Sequence, residues 1–167
     1  MLISDFNQGS SSEISTLLNH CVHIPRWSLD ILQHSPFSTT NELFQVAEKY
    51  AQSWNWDEIL AALNTHPRIS EKKAKTALSE QEQLFSDREQ ATLNSDQETL
   101  DAIYQGNLAY EKKYGFIFLI KASGLNSQQI LTALNYRLKN DPDIEKRIVH
   151  QQLLEIALLR LKQAVET

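Results

Sequence analysis

The chain has 167 residues, of which 41% are hydrophobic and 22% charged, with a formal net charge of -5 and a pI near 5.5. That length suits one domain with a real core, whereas the acidic balance leaves no basic footprint for a nucleic-acid backbone. No apolar run approaches the roughly 18 residues that a bilayer-spanning helix needs, and the single cysteine, Cys21, excludes an intramolecular disulfide.

Four glycines and four prolines are too few to punctuate a protein of many strands and tight turns, so helices are expected. A serine-rich start able to cap a helix precedes Ile14, Leu17 and Leu18, which share one face, and a short helix follows around Trp27 to Leu32. "STTNELFQVAEKYAQSW" opens with capping residues, carries Glu42 in its first turn, and spaces Leu43, Val46, Ala47 and Tyr50 as an apolar face. Trp56, Ile59, Leu60 and Leu63 form the next helical face, which Pro67 ends while pressing His66 into extended backbone. "SEKKAKTALSEQEQ" is polar and poor in large hydrophobes, and reads as a solvated loop with some helical turns. Residues 86 to 113 read as helix broken near Asn94 to Asp96, residues 126 to 139 as another helix, and "DIEKRIVHQQLLEIALLRLKQAV" as a long closing helix, with Gly124 and Pro142 as punctuation. No repeat and no low-complexity linker divides the chain. The expected fold is all-α: one multi-helix bundle over residues 1 to 167, with a buried apolar connector around 114 to 124.

That connector, "YGFIFLIKASG", is a continuous apolar run with aromatic and β-branched residues, and by pattern alone it could be a strand. No second run of this kind exists to pair with it, so a buried helix or an extended connector is expected instead. Any extended part must find other partners for its peptide groups, and a bound polar ligand is one source of them.

Individually, the polar residues have ordinary explanations. His66 beside Pro67 suits a cap or a surface position. "FSDREQATL" puts Ser86, Glu89 and Gln90 on neighbouring turns of one helical face, which is also the spacing of a capping box. Arg160, among Ile156, Leu159 and Leu161, needs an anion, a set of carbonyls or a salt bridge to satisfy its five donors. "HCVH" places His20, Cys21 and His23 where successive helical residues do not converge, so no metal is assigned. Trp27, Trp54 and Trp56 read as core or interface residues. With no Gly-rich phosphate loop, nucleophile elbow or Cys/His pair at a recognisable spacing, no conventional cofactor is expected.

Taken together and in order, "THPRI" at 65 to 69, "SDREQA" at 86 to 91, "GNLAYEKKYGFIFLIKASG" at 106 to 124 and "RLKNDPDIEKRIVHQQLLEIALLRL" at 137 to 161 resemble the OHCU decarboxylases. OHCU is 2-oxo-4-hydroxy-4-carboxy-5-ureidoimidazoline, and this family converts it to (S)-allantoin and carbon dioxide in the last step of urate oxidation. The resemblance implies that His66 is the catalytic histidine and Glu89 its acidic partner. It places Pro67, Ser86, Gln90 and Arg160 in the substrate-binding set, with the peptide groups of Phe116, Ile117, Phe118, Leu119 and Ile120. It also implies a homodimer and no cofactor. The family usually has glycine after "HPRI", where this chain has Ser70.

Two other readings stand beside it. An acidic all-helical interaction module would dock a partner helix on its apolar faces and have no use for the polar set. A decarboxylase-like protein acting on another ureido compound would show its change around Ser70 and Lys121. The segments carrying Trp27, Phe37 and Phe44 offer more apolar surface than a thin bundle covers, which also favours a homodimer. "MLISDFNQGSSSE" lacks the pattern of a signal peptide and "AVET" is neither a lipidation nor a peroxisomal signal, so the cytoplasm is the expected compartment.

Overall fold

Ser10 accepts a hydrogen bond from the Glu13 amide at 3.2 Å while the Glu13 carboxylate takes the Ser10 amide at 2.9 Å, and this reciprocal cap starts α2 (Ser11–Cys21). The bond from the Ser10 amide, and after it one of 2.9 Å from the Ser10 hydroxyl, favour the ionised Glu13 carboxyl and lower its pKa. The same logic starts other helices. Pro25, whose missing N–H costs nothing at a first turn, opens α3 (Pro25–Leu32). Thr39 accepts from the Glu42 amide at 3.1 Å to cap α4 (Thr40–Ala51). Asn55 and Glu58 exchange side-chain and backbone bonds of 2.9 and 3.0 Å at the start of α5 (Trp56–Leu63).

The computed structural model describes residues 1–69, 84–85 and 97–166. Within them lie α1 (Ile3–Gln8), which the apolar pattern did not reveal, the four helices above, α6 (Gln97–Tyr114), α7 (Ser127–Arg137) and α8 (Pro142–Ala164). Among the described residues there is no strand, and the fold is all-α as expected. The polar stretch from 70 to 83 and the expected helix break near 94 to 96 lie outside them.

The chain forms two compact units. One comprises Met1–Ala62 with the chain from Leu153 onward, and the other Leu63–Gln152. In the first unit, Ile14, Leu18 and Cys21 of α2 are buried together with Leu43, Ala47 and Ala51 of α4, as their three- and four-residue spacings require. Trp27 is fully buried, gives its indole N–H to the Ala47 carbonyl at 2.9 Å, and meets Trp54 edge-on at 5.9 Å. On α5 the buried face consists of Ile59, Ala62 and Leu63, and Leu60 is exposed. Leu60 sits about 100° round the helix from Ile59, so the two cannot share a narrow face.

The second unit is built on Ile69, Ile103, Tyr110, Phe118, Ala122, Ile130 and Leu134, with Tyr114, Phe116 and Ile120 packed against them. Tyr110 lies at its centre, with ring centroids 4.5 Å from Tyr114, 5.3 Å from Phe118 and 5.9 Å from Phe116. α6 ends at Gly115, whose φ of 83° is left-handed backbone, and its N–H closes on the Glu111 carbonyl at 2.8 Å. Beyond it the chain has no regular secondary structure up to Ala122, so the apolar connector is neither helix nor strand.

Candidate active site

His66 occupies the turn that leaves α5. Its N–H bonds the Leu63 carbonyl at 3.1 Å, and the residue is 8% exposed. Pro67 follows and fixes φ, so the chain turns away from the helix axis. Arg68 then forms a two-pronged pair with Glu111 of α6: Nε lies 3.0 Å from each carboxylate oxygen and Nη2 lies 2.6 Å from Oε1. Ile69 enters the core, and its carbonyl lies 3.5 Å from the Asn107 amide nitrogen. Among the described residues, the Arg68–Glu111 salt bridge, the Asn107 bond to Ile69 and the burial of Ile69 thus hold segment 66 to 69 on its C-terminal side.

The connector shares the core that takes Ile69, through Phe118, Phe116 and Ile120. Among the described residues, the side chains of Arg137 and Gln152 hold its backbone. Arg137 Nη1 donates to the Leu119 carbonyl at 2.6 Å, and the Lys121 amide donates to Gln152 Oε1 at 2.8 Å. Among the described residues no hydrogen bond reaches the peptide groups of Ile117, Phe118 or Ile120.

Arg137 is buried, which demands compensation. Glu145 provides it: Oε1 takes Nε at 2.7 Å and lies 2.5 Å from Nη2, the latter an ionic contact without hydrogen-bond alignment. The guanidinium also lies over the Phe118 ring at 4.5 Å. Tyr110 gives its hydroxyl proton to the same carboxylate oxygen at 2.5 Å, and burial first, then that bond, push its pKa well above the usual phenol range. Asn140 reaches the other oxygen at 3.1 Å. Tyr110, Arg137 and Glu145 therefore act as a charged brace behind the connector.

Of the residues singled out in the sequence, His66, Pro67 and Phe116 to Ile120 lie in the second unit, with Ile69 and the connector joined in one core. Arg160 lies in the first unit, 4% exposed, with Nη1 3.3 Å from the Cys21 carbonyl. Ser86, Glu89, Gln90 and Ser70 lie outside the described residues. Sequence reasoning passed over Asn107, Glu111, Arg137, Glu145 and Gln152. One signal was present: Asn107 interrupts the line Ile103, Tyr110 and Tyr114 on an otherwise apolar helical face, where an amide needs a partner.

Fold and corner together define an all-helical protein with a buried histidine at a helix exit, three residues before Ile69, which shares a core with a side-chain-braced connector. The family model for OHCU decarboxylase matches residues 7–162, and the chain belongs to that family. Among its relatives, the uric acid degradation bifunctional protein TTL of Arabidopsis thaliana is 27% identical over 75% of this chain and 39% of its own length. The uric acid degradation bifunctional protein of Bacillus sp. (strain TB-90) is 24% identical over 98% of this chain and 32% of its own length. This chain thus spans well under half of either bifunctional relative. The 2-oxo-4-hydroxy-4-carboxy-5-ureidoimidazoline decarboxylase of Haloferax volcanii is 27% identical over 77% of this chain and 74% of its own length. A solved OHCU decarboxylase, crystallised in the presence of (S)-allantoin, shares the fold with a TM-score of 0.74 at 24% identity, over 93% of this chain and 98% of that one. An (S)-allantoin synthase structure does so with a TM-score of 0.73 at 19% identity, over all of this chain and 55% of that one.

Proposed function

We propose that this chain is a carboxy-lyase that converts OHCU to (S)-allantoin and carbon dioxide without a cofactor, the last step of urate oxidation. The observation that carries this reading is the match of residues 7–162 to the OHCU decarboxylase family. The buried, proline-fixed His66 supports it. In this reading residues 1 to 167 work as a single domain, in a cytoplasmic homodimer.

The substrate supplies its own electron sink. When the bond to the carboxylate breaks, carbon dioxide leaves and the bonding pair moves into the adjacent ring C=N group. The hydroxyl carbon becomes a carbonyl as its proton departs. Protons arrive at the ring nitrogen and at the ureido-bearing carbon, so the reaction consumes one proton overall. The protein must orient the carboxylate, hold the ureido group and govern proton traffic on one face. We assign the hydroxyl proton to His66. Glu89 orients that imidazole or delivers the proton to carbon, and Arg160 neutralises anionic oxygen. The family resemblance adds Pro67, Ser86 and Gln90 to the substrate-binding set. The Phe116 to Ile120 peptide groups bind the ring and ureido amides, a role suited to the peptide groups of Ile117, Phe118 and Ile120, which have no hydrogen-bond partner among the described residues.

The test is a coupled assay in which urate is oxidised and hydrolysed to OHCU with the protein present, followed by circular dichroism. In free water the planar intermediate is protonated from either side, so spontaneous product is racemic. Faster, optically active (S)-allantoin is the expected result. No acceleration removes the decarboxylase reading, and acceleration to a racemate removes the one-sided proton delivery.

A further inference from the structure

Asn107 and Glu111 stand four residues apart on α6 and therefore face the same way. What they hold is the stretch of chain that follows His66. Glu111 takes Arg68 through three contacts of 3.0, 3.0 and 2.6 Å, a planar fork that fixes direction as well as distance. Asn107 points its amide nitrogen at the Ile69 carbonyl, 3.5 Å away, and its Oδ1 is buried without a hydrogen-bond partner among the described residues. Turned the other way, the amide would set oxygen against oxygen at Ile69, so the carbonyl fixes its orientation.

Only Pro67 separates His66 from Arg68, and the pyrrolidine ring removes the freedom in φ that would otherwise absorb a displacement. On the N-terminal side the His66 amide is tied to the last residue of α5 through Leu63. The histidine backbone is consequently fixed from both directions, by Leu63 before it and by α6 after it.

We propose that Glu111 and Asn107 are positioning residues for His66: by clamping Arg68 and Ile69 they set the direction in which the imidazole projects. This rests on the reading that His66 handles a proton of the substrate. Neither residue needs to touch the substrate. Their contribution is to keep the imidazole within the narrow range of distance and angle that proton transfer tolerates.

Glu111→Gln is the first test, because it keeps the shape and removes the charge at a site where the two side chains are 20% and 23% exposed. It should lower kcat roughly tenfold with KM changed less than about twofold, the pattern of a transition-state interaction. Arg68→Lys should behave alike, since an ammonium cannot reproduce the fork. The exchange Arg68→Glu with Glu111→Arg should recover most of the loss. Asn107→Leu should also lower kcat, and Asn107→Asp, which cannot donate to the Ile69 carbonyl, should not rescue it. Independently of turnover, the imidazole nitrogen resonances of His66, assigned by their loss in His66→Asn, should move in Glu111→Gln at a pH where the variant is fully folded. Unmoved resonances with unchanged kcat would overturn the proposal, as would losses that merely track the unfolded fraction. If the unaltered protein does not accelerate OHCU decarboxylation, the functional reading fails on that result alone, and the resonance shift still decides the clamp.

Discussion

An imidazole that handles protons depends on a partner whose charge complements its own. If His66 and Glu89 form one such unit, His66→Asn and Glu89→Gln should each reduce kcat by roughly 100-fold or more. The double variant should lose little beyond either single one, because residues acting together are not additive. Rates of (S)-allantoin formation for the three proteins decide this, and multiplying losses would mean separate roles. A second residue-scale effect lies at the start of α5. The Arg26 guanidinium bonds the Glu58 carboxylate at 2.7 and 2.9 Å and holds its pKa below the ordinary value of 4.5. The folded protein therefore binds this proton less readily than the unfolded chain. The stabilisation is complete above the unfolded pKa and disappears as the pH falls through the depressed folded one. Because the Arg26 side chain is 44% exposed, solvent screening limits the pair to about 0.5 kcal/mol. Glu58→Gln should lower the thermal midpoint by about 1–2 °C at neutral pH. Melting curves recorded into the acid range should show that difference closing.

At the scale of elements, the second unit depends on how closely α6 and α7 approach. A Cβ built on Gly106 would lie 2.5 Å from Leu134 Cδ2, and Leu134 is fully buried. Alanine gains about 1 kcal/mol of helix propensity over glycine. Overpacking a filled core costs about 1–3 kcal/mol, and that term wins here because the clash reaches Leu134 Cγ at 3.1 Å as well as Cδ2, on a side chain that is fully buried. Gly106→Ala should therefore destabilise the protein by about 1 kcal/mol, measured by urea unfolding. The connector is the other element whose conformation others impose. Gln152→Leu deletes the acceptor of the Lys121 amide and should cost about 1–3 kcal/mol for a donor left without its partner. A Gln152→Leu protein as stable as the parent would show that the connector does not rely on this bond.

For the whole molecule, assembly and cooperativity are the open properties. The sequence argument for a homodimer counted the segments carrying Trp27, Phe37 and Phe44 as surplus apolar surface; Trp27 and Phe37 are buried within the chain, whereas Phe44 is half-buried. Packing against the chain's own helices satisfies Trp27 and Phe37. The homodimer is a proposal that the family resemblance implies. Light scattering at about micromolar protein should return twice the 19.2 kDa chain mass; a monomer there would sink the proposal. If residues 1 to 167 act as one domain, calorimetry and fluorescence should report a single coincident unfolding transition, despite the two compact units.

Short-range rules determined much of this protein in advance. Caps and apolar spacing lie within a few residues of one another, so α2, α4, α5, α7 and α8 were legible, as was the corner that Pro67 imposes on His66. The quoted motifs sufficed for the family. Tertiary structure decided the rest, because its contacts leave no period in the sequence. An apolar run such as "FIFLIK" suits a buried helix as well as an extended chain. The partners that hold it out of a helix, Arg137 for Leu119 and Gln152 for Lys121, stand 18 and 31 residues away. Glu111 reaches Arg68 across 43 residues. In the linear chain Glu111 resembles any acid on a solvated helix, and only packing α6 against the segment after His66 turns it into an anchor.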